Sequence, residues 1–174
     1  MTSTRLVLAL ALVAGTAPAC SGSAEDAPAN AGRAAPVPVR TATAPANGFG
    51  DRIAWRGLSE GFREAQTLGL PIMLVVHASW CSQCKALRPV FSDPDLVALS
   101  NHFVMINVDQ DLEPESLQYG PDGRYVPRVL FFDPAGDLDP AVYNRARRRY
   151  KYYYSPQDDL VGAMRQALER HARS

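Results

Sequence analysis

The sequence has 174 residues, of which 47% are hydrophobic, and its 18 basic and 18 acidic side chains leave no formal net charge. This length predicts one folded domain with additional segments, and the apolar fraction is sufficient for a buried core. The charge balance excludes a uniformly basic surface, so the composition does not indicate a nucleic-acid partner.

The N-terminal residues have the features of an export signal. Arg5 precedes the apolar run 6-LVLALALVAG-15, and the small residues Ala17 and Ala19 follow it. An apolar run of about ten residues is typical of a signal peptide and is too short to span a bilayer. We therefore predict a signal peptide over residues 1–19 and export to a compartment in which disulfides persist.

Cys20 follows this segment directly, and 17-APAC-20 resembles a bacterial lipobox, in which the cysteine after the cleavage site is lipidated. Lipoboxes usually carry Leu three residues before the cysteine, whereas this chain has Ala17 there. We predict a membrane tether through lipidated Cys20, with ordinary cleavage before it as the alternative. Residues 20–48 are rich in Ala and Pro and predict a disordered tether, which leaves a folded domain over residues 49–174.

The folded region begins with a helix, a strand and a second helix. The segment 58-LSEGFREAQTLG-69 has apolar residues at helical spacing, with Ser59 as the predicted cap. The run 72-IMLVV-76 predicts a strand that is buried on both faces. A helix over residues 81–91 follows, and Pro89 should kink it because proline lacks a backbone N–H.

The remaining elements complete an α/β pattern. We predict a short helix over 93–99, strands over 103–109, 126–133 and 150–154, a turn over 134–136, and a final helix that opens at 155-SPQD-158. This order predicts a central mixed β-sheet that is flanked by helices on both faces.

The stretch 79-SWCSQCKALRP-89 contains two cysteines, Cys81 and Cys84, in a Cys-x-x-Cys arrangement. Structural zinc requires four ligands, and the three histidines of the chain are scattered, so we predict no metal; a two-thiolate Cu(I) site is an alternative. A disulfide that closes so short a loop would add little stability. Redox chemistry fits the pair better than either a metal or a structural bond.

At a strand-to-helix junction, Cys81 would cap the helix, where unpaired N–H groups favour an anionic sulfur. Cys84 would lie one turn further on the same face, in a position to resolve a mixed disulfide formed at Cys81. Trp80 would either shield the pair on one side or pack as an ordinary aromatic residue. Exchange of this kind uses sulfur alone and predicts no cofactor.

At this point the chain resembles the thioredoxin superfamily, and in particular the small endoplasmic-reticulum thioredoxin-domain proteins related to the anterior-gradient group. The matching blocks are 69-GLPIMLVVHASWCSQCKALRP-89, 102-HFVMINVD-109, 121-PDGRYVPRVLFFDPAG-136 and 150-YKYYYSPQDDL-160, together with 55-WR-56. The resemblance implies a thioredoxin fold and protein-disulfide reductase or, more generally, thiol–disulfide oxidoreductase activity. It assigns Cys81 as the attacking cysteine and Cys84 as the resolving one.

The resemblance also implies that Pro127 is the cis-proline of the family and faces the cysteines. Together with Trp80 and the backbone of Val126, this proline would bind an extended substrate peptide. One departure concerns the buried aspartate that thioredoxin has six residues before its first cysteine, because Val75 occupies that position here. The nearby His77 is a candidate replacement, and a packed, hydrogen-bonded histidine is the alternative.

The C-terminus is a second departure, since relatives end in an endoplasmic-reticulum retention tetrapeptide and this chain ends in 171-HARS-174. With the lipobox-like start, this difference predicts a bacterial envelope protein. We expect a monomer that acts on protein dithiols or disulfides and depends on a separate electron donor or acceptor. A client-binding module with little redox turnover is the alternative.

The basic run 145-RARRRYK-151 is either a solvated surface or a phosphate or lipid site.

Overall fold

The computed structural model describes residues 39–171. The strands are β1 (Trp55–Arg56), β2 (Ile72–His77), β3 (Val104–Asp109) and β4 (Arg128–Phe132). The α-helices are α1 (Leu58–Leu68), α2 (Ser82–Leu87), α3 (Pro94–Ser100) and α4 (Leu160–His171), and short 3₁₀ helices cover Arg88–Ser92 and Pro114–Gln118. No helix in this part of the chain is both long enough and apolar enough to cross a bilayer.

The four strands form one mixed sheet in the order β1-β3-β2-β4. β2 lies inside the sheet, where it pairs in parallel with β3 and antiparallel with β4. One face packs against α1 through Leu58 and Ala65, and the other packs against α2, α3 and α4. Every residue of β2 is buried, as the apolar run 72-IMLVV-76 predicts for most of its length. The expected central mixed sheet with helices on both faces is therefore confirmed.

Three helix ends differ from the expected positions. Gly57, and not Ser59, occupies the N-cap position of α1. The helix expected over 81–91 changes to 3₁₀ geometry at Arg88, next to the proline that lacks an amide donor. The final helix begins only at Leu160, because Asp158 accepts hydrogen bonds from the backbone N–H and the hydroxyl of Ser155 and closes a separate turn.

The segment 150–154 is not a strand, so that prediction was wrong. Tyr150 has a φ of 56°, in the left-handed region, which breaks an extended course at its first residue. A single backbone hydrogen bond joins the segment to β4, from the Val129 N–H to the Tyr152 oxygen at 2.8 Å. The two-residue strand β1 was in turn not predicted as a strand.

The residues just before Phe49 pack against the domain, although the predicted tether extends to residue 48. Arg40 donates hydrogen bonds to the Phe103 carbonyl and to Glu64. The Thr43 N–H donates to the Trp55 oxygen at 3.0 Å, and the Asn107 side chain donates to the Ala46 oxygen at 2.6 Å. The packed region therefore begins upstream of residue 49. The predicted signal peptide, Cys20 and most of the predicted tether lie outside the described residues.

Candidate active site

The Cys-x-x-Cys pair lies where the chain leaves β2 and begins α2. The Cys81 N–H donates to the Ala78 oxygen at 3.1 Å and closes the connecting turn. Cys81 is the N-cap of α2, and its sulfur accepts a hydrogen bond from the Cys84 N–H at 3.1 Å. Both cysteines are free thiols. A donor aimed at the Cys81 sulfur stabilises negative charge there, so the sequence placed this sulfur at the correct end of the helix.

The two cysteines differ in their environment. Cys81 keeps an exposed fraction of 5%, whereas Cys84 is completely buried. Burial raises the pKa of Cys84 to about 12, and the hydrogen bond to Cys81 adds to this effect. Cys84 is therefore a protonated thiol at neutral pH, because its pKa lies far above that value. This asymmetry suits an outer attacking sulfur and an inner resolving sulfur.

The loop before β4 lies against the outer cysteine. The Val126–Pro127 peptide bond is cis, as the resemblance implied. The Cys81 sulfur lies 3.8 Å from the Val126 carbonyl oxygen, within hydrogen-bonding distance for a thiol donor. A peptide that extends along Val126 would therefore present its own sulfur next to Cys81.

Arg128 holds this loop in place, and sequence reasoning did not identify it. It follows Pro127 directly, is completely buried, and donates hydrogen bonds to the backbone oxygens of Tyr119 and Tyr125. Burial lowers the pKa of the Arg128 guanidinium. The only sequence signal for it was a charged residue at the start of an otherwise apolar strand.

Trp80 lies on the surface next to the cysteine pair. Its side chain is 65% exposed, and its indole N–H donates to the Asp111 carboxylate at 2.7 Å. The hydrogen bond fixes the ring by connecting the cysteine turn to the loop that follows β3. Trp80 is therefore exposed next to the cysteine turn and is not packed in the core.

The position of the missing acid is filled by Val75, which is completely buried. His77 lies two residues after Val75 on β2, and its Nδ1 atom is 3.9 Å from the Asp109 carboxylate. Burial lowers the pKa of His77, which keeps the ring neutral near neutral pH. Between residues 39 and 171, His77 makes no hydrogen bond to either cysteine. Residue 75 therefore provides no carboxylate that could accept a proton from Cys84.

Tyr153 is a further site neighbour that the sequence did not reveal. Its hydroxyl donates to the Gln83 side-chain oxygen at 3.2 Å, and Gln83 lies between the two cysteines. The aromatic segment that was predicted as a strand thus turns back onto the cysteine helix.

In the described part of the chain, no group of three or more His, Cys, Asp or Glu side chains is arranged to hold a metal ion.

Comparison with known proteins places these features in a family. A family model described as thioredoxin-like matches residues 54–134. Anterior gradient protein 3 of Xenopus tropicalis is 32% identical over 123 residues, which cover 69% of this chain and 73% of that protein. Anterior gradient protein 3 of Mus musculus is 34% identical over 126 residues, which cover 70% and 74% of the two chains.

The same fold occurs in a solved structure, the solution structure of a thioredoxin from Thermus thermophilus. It superposes with a TM-score of 0.54 at 21% identity and covers 69% of this chain and 90% of that one. The cysteine turn between β2 and α2, the cis-proline before β4 and the identity to these relatives agree with one another. The chain belongs to the thioredoxin superfamily, in the family of the anterior gradient proteins.

Proposed function

We propose that the protein is a thiol–disulfide oxidoreductase that reduces, forms or exchanges disulfides in proteins of the cell envelope. The observation that supports this proposal best is the geometry of the pair. The Cys81 sulfur accepts the Cys84 N–H at 3.1 Å and lies 3.8 Å from the Val126 oxygen. The Cys81 sulfur therefore lies next to both an N–H donor and the backbone that would pair with a substrate peptide.

In the reductive direction, the Cys81 thiolate attacks one sulfur of a substrate disulfide. A bond forms between Cys81 and that sulfur, the substrate S–S bond breaks, and the second substrate sulfur leaves as a thiolate that takes up a proton. Cys84 then loses its proton and attacks the Cys81 sulfur. The Cys81–Cys84 disulfide forms and the first substrate sulfur is released, so two electrons and two protons reach the substrate.

The oxidised pair must then be reduced by a separate dithiol donor, and the reverse sequence with a separate acceptor would form disulfides in substrates. Val126 and Pro127 would align the substrate backbone, and the exposed Trp80 indole would cover the side chains around the reacting sulfur. Because the pKa of Cys84 is raised to about 12, the resolving step should become faster as the pH rises.

Insulin-disulfide reduction, driven by a small dithiol, tests this function. With the dithiol present, wild-type protein should give continuous turnover and Cys84→Ala much slower turnover, because only the external dithiol can then release the substrate from Cys81. With insulin and no dithiol, pre-reduced Cys84→Ala should accumulate a mixed disulfide at Cys81. Turnover and mass spectrometry of the non-reduced protein provide the two readouts. Equal, near-zero turnover of both proteins would favour client binding without redox activity.

We also propose that the protein is exported to the bacterial envelope and anchored through Cys20. The support is the apolar run 6–15, the small residues before Cys20 and the lipobox-like 17-APAC-20. In a bacterial host, Cys20→Ser should move the full chain from the membrane fraction to the soluble envelope fraction, since the acyl chains would be lost. The matched variant Cys81→Ser should remain with the membranes. Equal fractionation of both variants would contradict the lipid anchor.

A further inference from the structure

We propose that the Tyr/Arg segment, residues 143–154, selects substrates in which acidic residues flank the reacting disulfide. This inference rests on the proposed exchange function and specifies the substrate class of the same site. The segment contains five tyrosines, of which Tyr143, Tyr150 and Tyr153 are exposed or partly buried, and it contains the whole basic run 145-RARRRYK-151. Its position relative to the cysteines and its unbalanced charge support the proposal independently.

The first contact between the Tyr/Arg segment and the site is made by Tyr153. Its hydroxyl donates to Gln83, which lies between Cys81 and Cys84 in the sequence, at 3.2 Å. Burial raises the pKa of the Tyr153 hydroxyl, so it remains a protonated donor at neutral pH. The segment is therefore joined directly to the helix turn that bears the reactive sulfur.

The second contact is made with the loop that would bind the substrate backbone. The rings of Tyr125 and Tyr150 have centroids 4.7 Å apart, and the Tyr152 N–H donates to the Tyr125 hydroxyl at 3.0 Å. Tyr125 immediately precedes Val126, whose carbonyl faces the Cys81 sulfur. The segment thus borders the site along both the cysteine turn and the substrate loop.

The charge of the segment is positive and largely unneutralised. The exposed side chains of Arg145, Arg148, Arg149 and Lys151 have no carboxylate within 4.0 Å among residues 39–171. Arg147 differs, because it pairs with Asp158 at 2.7 Å while its guanidinium lies 4.8 Å from the Tyr153 ring centroid.

Neighbouring groups position these charges without cancelling them. Arg149 lies 5.1 Å from the Tyr150 ring centroid, and Lys151 lies 5.3 Å from that of Tyr143. Contacts of this kind restrain a cation over a ring while its charge stays in place. Besides Asp158, the Asp122 carboxylate lies nearby, and it accepts hydrogen bonds from the Tyr125 hydroxyl at 2.6 Å and from the Lys151 N–H at 2.5 Å.

An acidic polypeptide fits this surface better than other anions. Since the whole chain has no net charge, the positive field is local and decays over about 8 Å at physiological ionic strength. The field therefore acts on groups close to the segment, which borders the cysteine turn through Tyr153 and the substrate loop through Tyr150. Arginine guanidinium groups bind carboxylates in a bidentate manner, which would orient acidic side chains next to the bond to be exchanged. Binding to an anionic membrane would not require the basic residues to lie next to a reactive sulfur, so their position favours an acidic peptide.

Two synthetic peptides with one intramolecular disulfide test the inference with the full chain. They share their sequence except that the residues flanking the cysteines are Glu in one and Gln in the other. We expect a kcat/KM about tenfold higher for the Glu peptide at low ionic strength, since local charge of this kind raises encounter rates. The ratio should decline toward one as salt is added.

Variants assign the effect to the segment. Arg148→Gln with Arg149→Gln should reduce the Glu/Gln ratio of kcat/KM by several-fold, and Arg148→Glu with Arg149→Glu should bring it to one or below. Measurable reduction of the Gln peptide shows that each variant is folded. The matched control, Arg52→Gln with Arg63→Gln, removes two exposed charges outside the segment and should retain the wild-type ratio.

The outcomes separate this inference from the proposed function. Equal kcat/KM values for both peptides would overturn the charge selection while the exchange function stands. Failure to reduce either peptide would overturn both. A ratio near one, together with cosedimentation of the protein with vesicles of phosphatidylcholine and phosphatidylglycerol but not of phosphatidylcholine alone, would assign the segment to a membrane surface instead.

Discussion

Iodoacetamide at neutral pH is expected to alkylate Cys81 and to leave Cys84 almost unlabelled. With its pKa raised to about 12, Cys84 has a thiolate fraction on the order of 10⁻⁵ at neutral pH. Its complete burial also limits access of the reagent. Cys81 retains some exposure, and its sulfur accepts an N–H donor that favours the reactive anion.

The ratio of labelling rates, measured by peptide mapping after short exposures, should exceed a factor of about 100, since reactivity follows the thiolate fraction. Labelling of Cys84 should increase with pH throughout the alkaline range, because a raised pKa postpones ionisation. Unfolding in urea provides the control, since it should make the two cysteines equally reactive. Equal rates in the folded protein would contradict the assignment of the attacking and resolving roles.

Replacing Phe91 by alanine is expected to cost about 3–5 kcal/mol of the free energy of unfolding. Phe91 is completely buried in the 3₁₀ turn that continues the cysteine helix. Its ring meets Phe49 edge-on at 5.2 Å and lies 5.7 Å from Trp55. Truncation would leave a cavity beside the rings of Phe49 and Trp55, and the contacts of Phe91 with these rings join the cysteine helix to the N-terminal side of the domain.

Urea denaturation followed by circular dichroism measures this loss against a total stability of roughly 5–15 kcal/mol. Phe91→Leu should lose less, about 1–2 kcal/mol, because it retains most of the buried apolar volume. The exposed control Leu112→Ala, at a residue that is 82% exposed, should change stability by less than about 0.5 kcal/mol. Similar losses for Phe91→Ala and Leu112→Ala would show that the three rings do not stabilise the fold.

Much of the fold could be predicted because its main signals are local. β2 is an unbroken apolar run after Pro71, and α1 ends at Gly69, which has a left-handed φ of 65° that favours glycine. Asp93 is the N-cap of α3, and its carboxylate accepts hydrogen bonds from the Asp95 and Leu96 N–H groups. In each case a side chain and its nearest neighbours along the chain decide the outcome.

The wrong predictions concern elements that depend on distant contacts. The tyrosine run 150–154 has the composition of a strand, but the contact of the Tyr150 ring with Tyr125 and the hydrogen bond from Tyr153 to Gln83 give it another course. β1 is two residues long, so it has no periodicity to detect, and pairing with β3 alone defines it. The packing of residues 40–48 likewise depends on partners elsewhere, such as Asn107.

The residues of the candidate site likewise fall into those that short motifs predict and those that depend on distant contacts. Spacing located Cys81 and Cys84, and the family resemblance identified Pro127, because these features occur in short motifs. The supporting contacts of Arg128 with Tyr119 and of Tyr153 with Gln83 join positions 9 and 70 residues apart. A local sequence pattern does not indicate contacts between such distant residues, so only the structure shows which side chains surround the two sulfurs.

The packing of residues 40–48 has a practical consequence for anyone who shortens this protein. A fragment that starts at Phe49 would lack the Arg40 side chain that reaches the beginning of β3 and the Ala46 carbonyl that occupies the Asn107 amide. The Phe103 carbonyl and the Asn107 side-chain amide would then have to form these hydrogen bonds with water. A recombinant fragment should therefore start before Arg40, so that the edge of the sheet at β1 retains its cover.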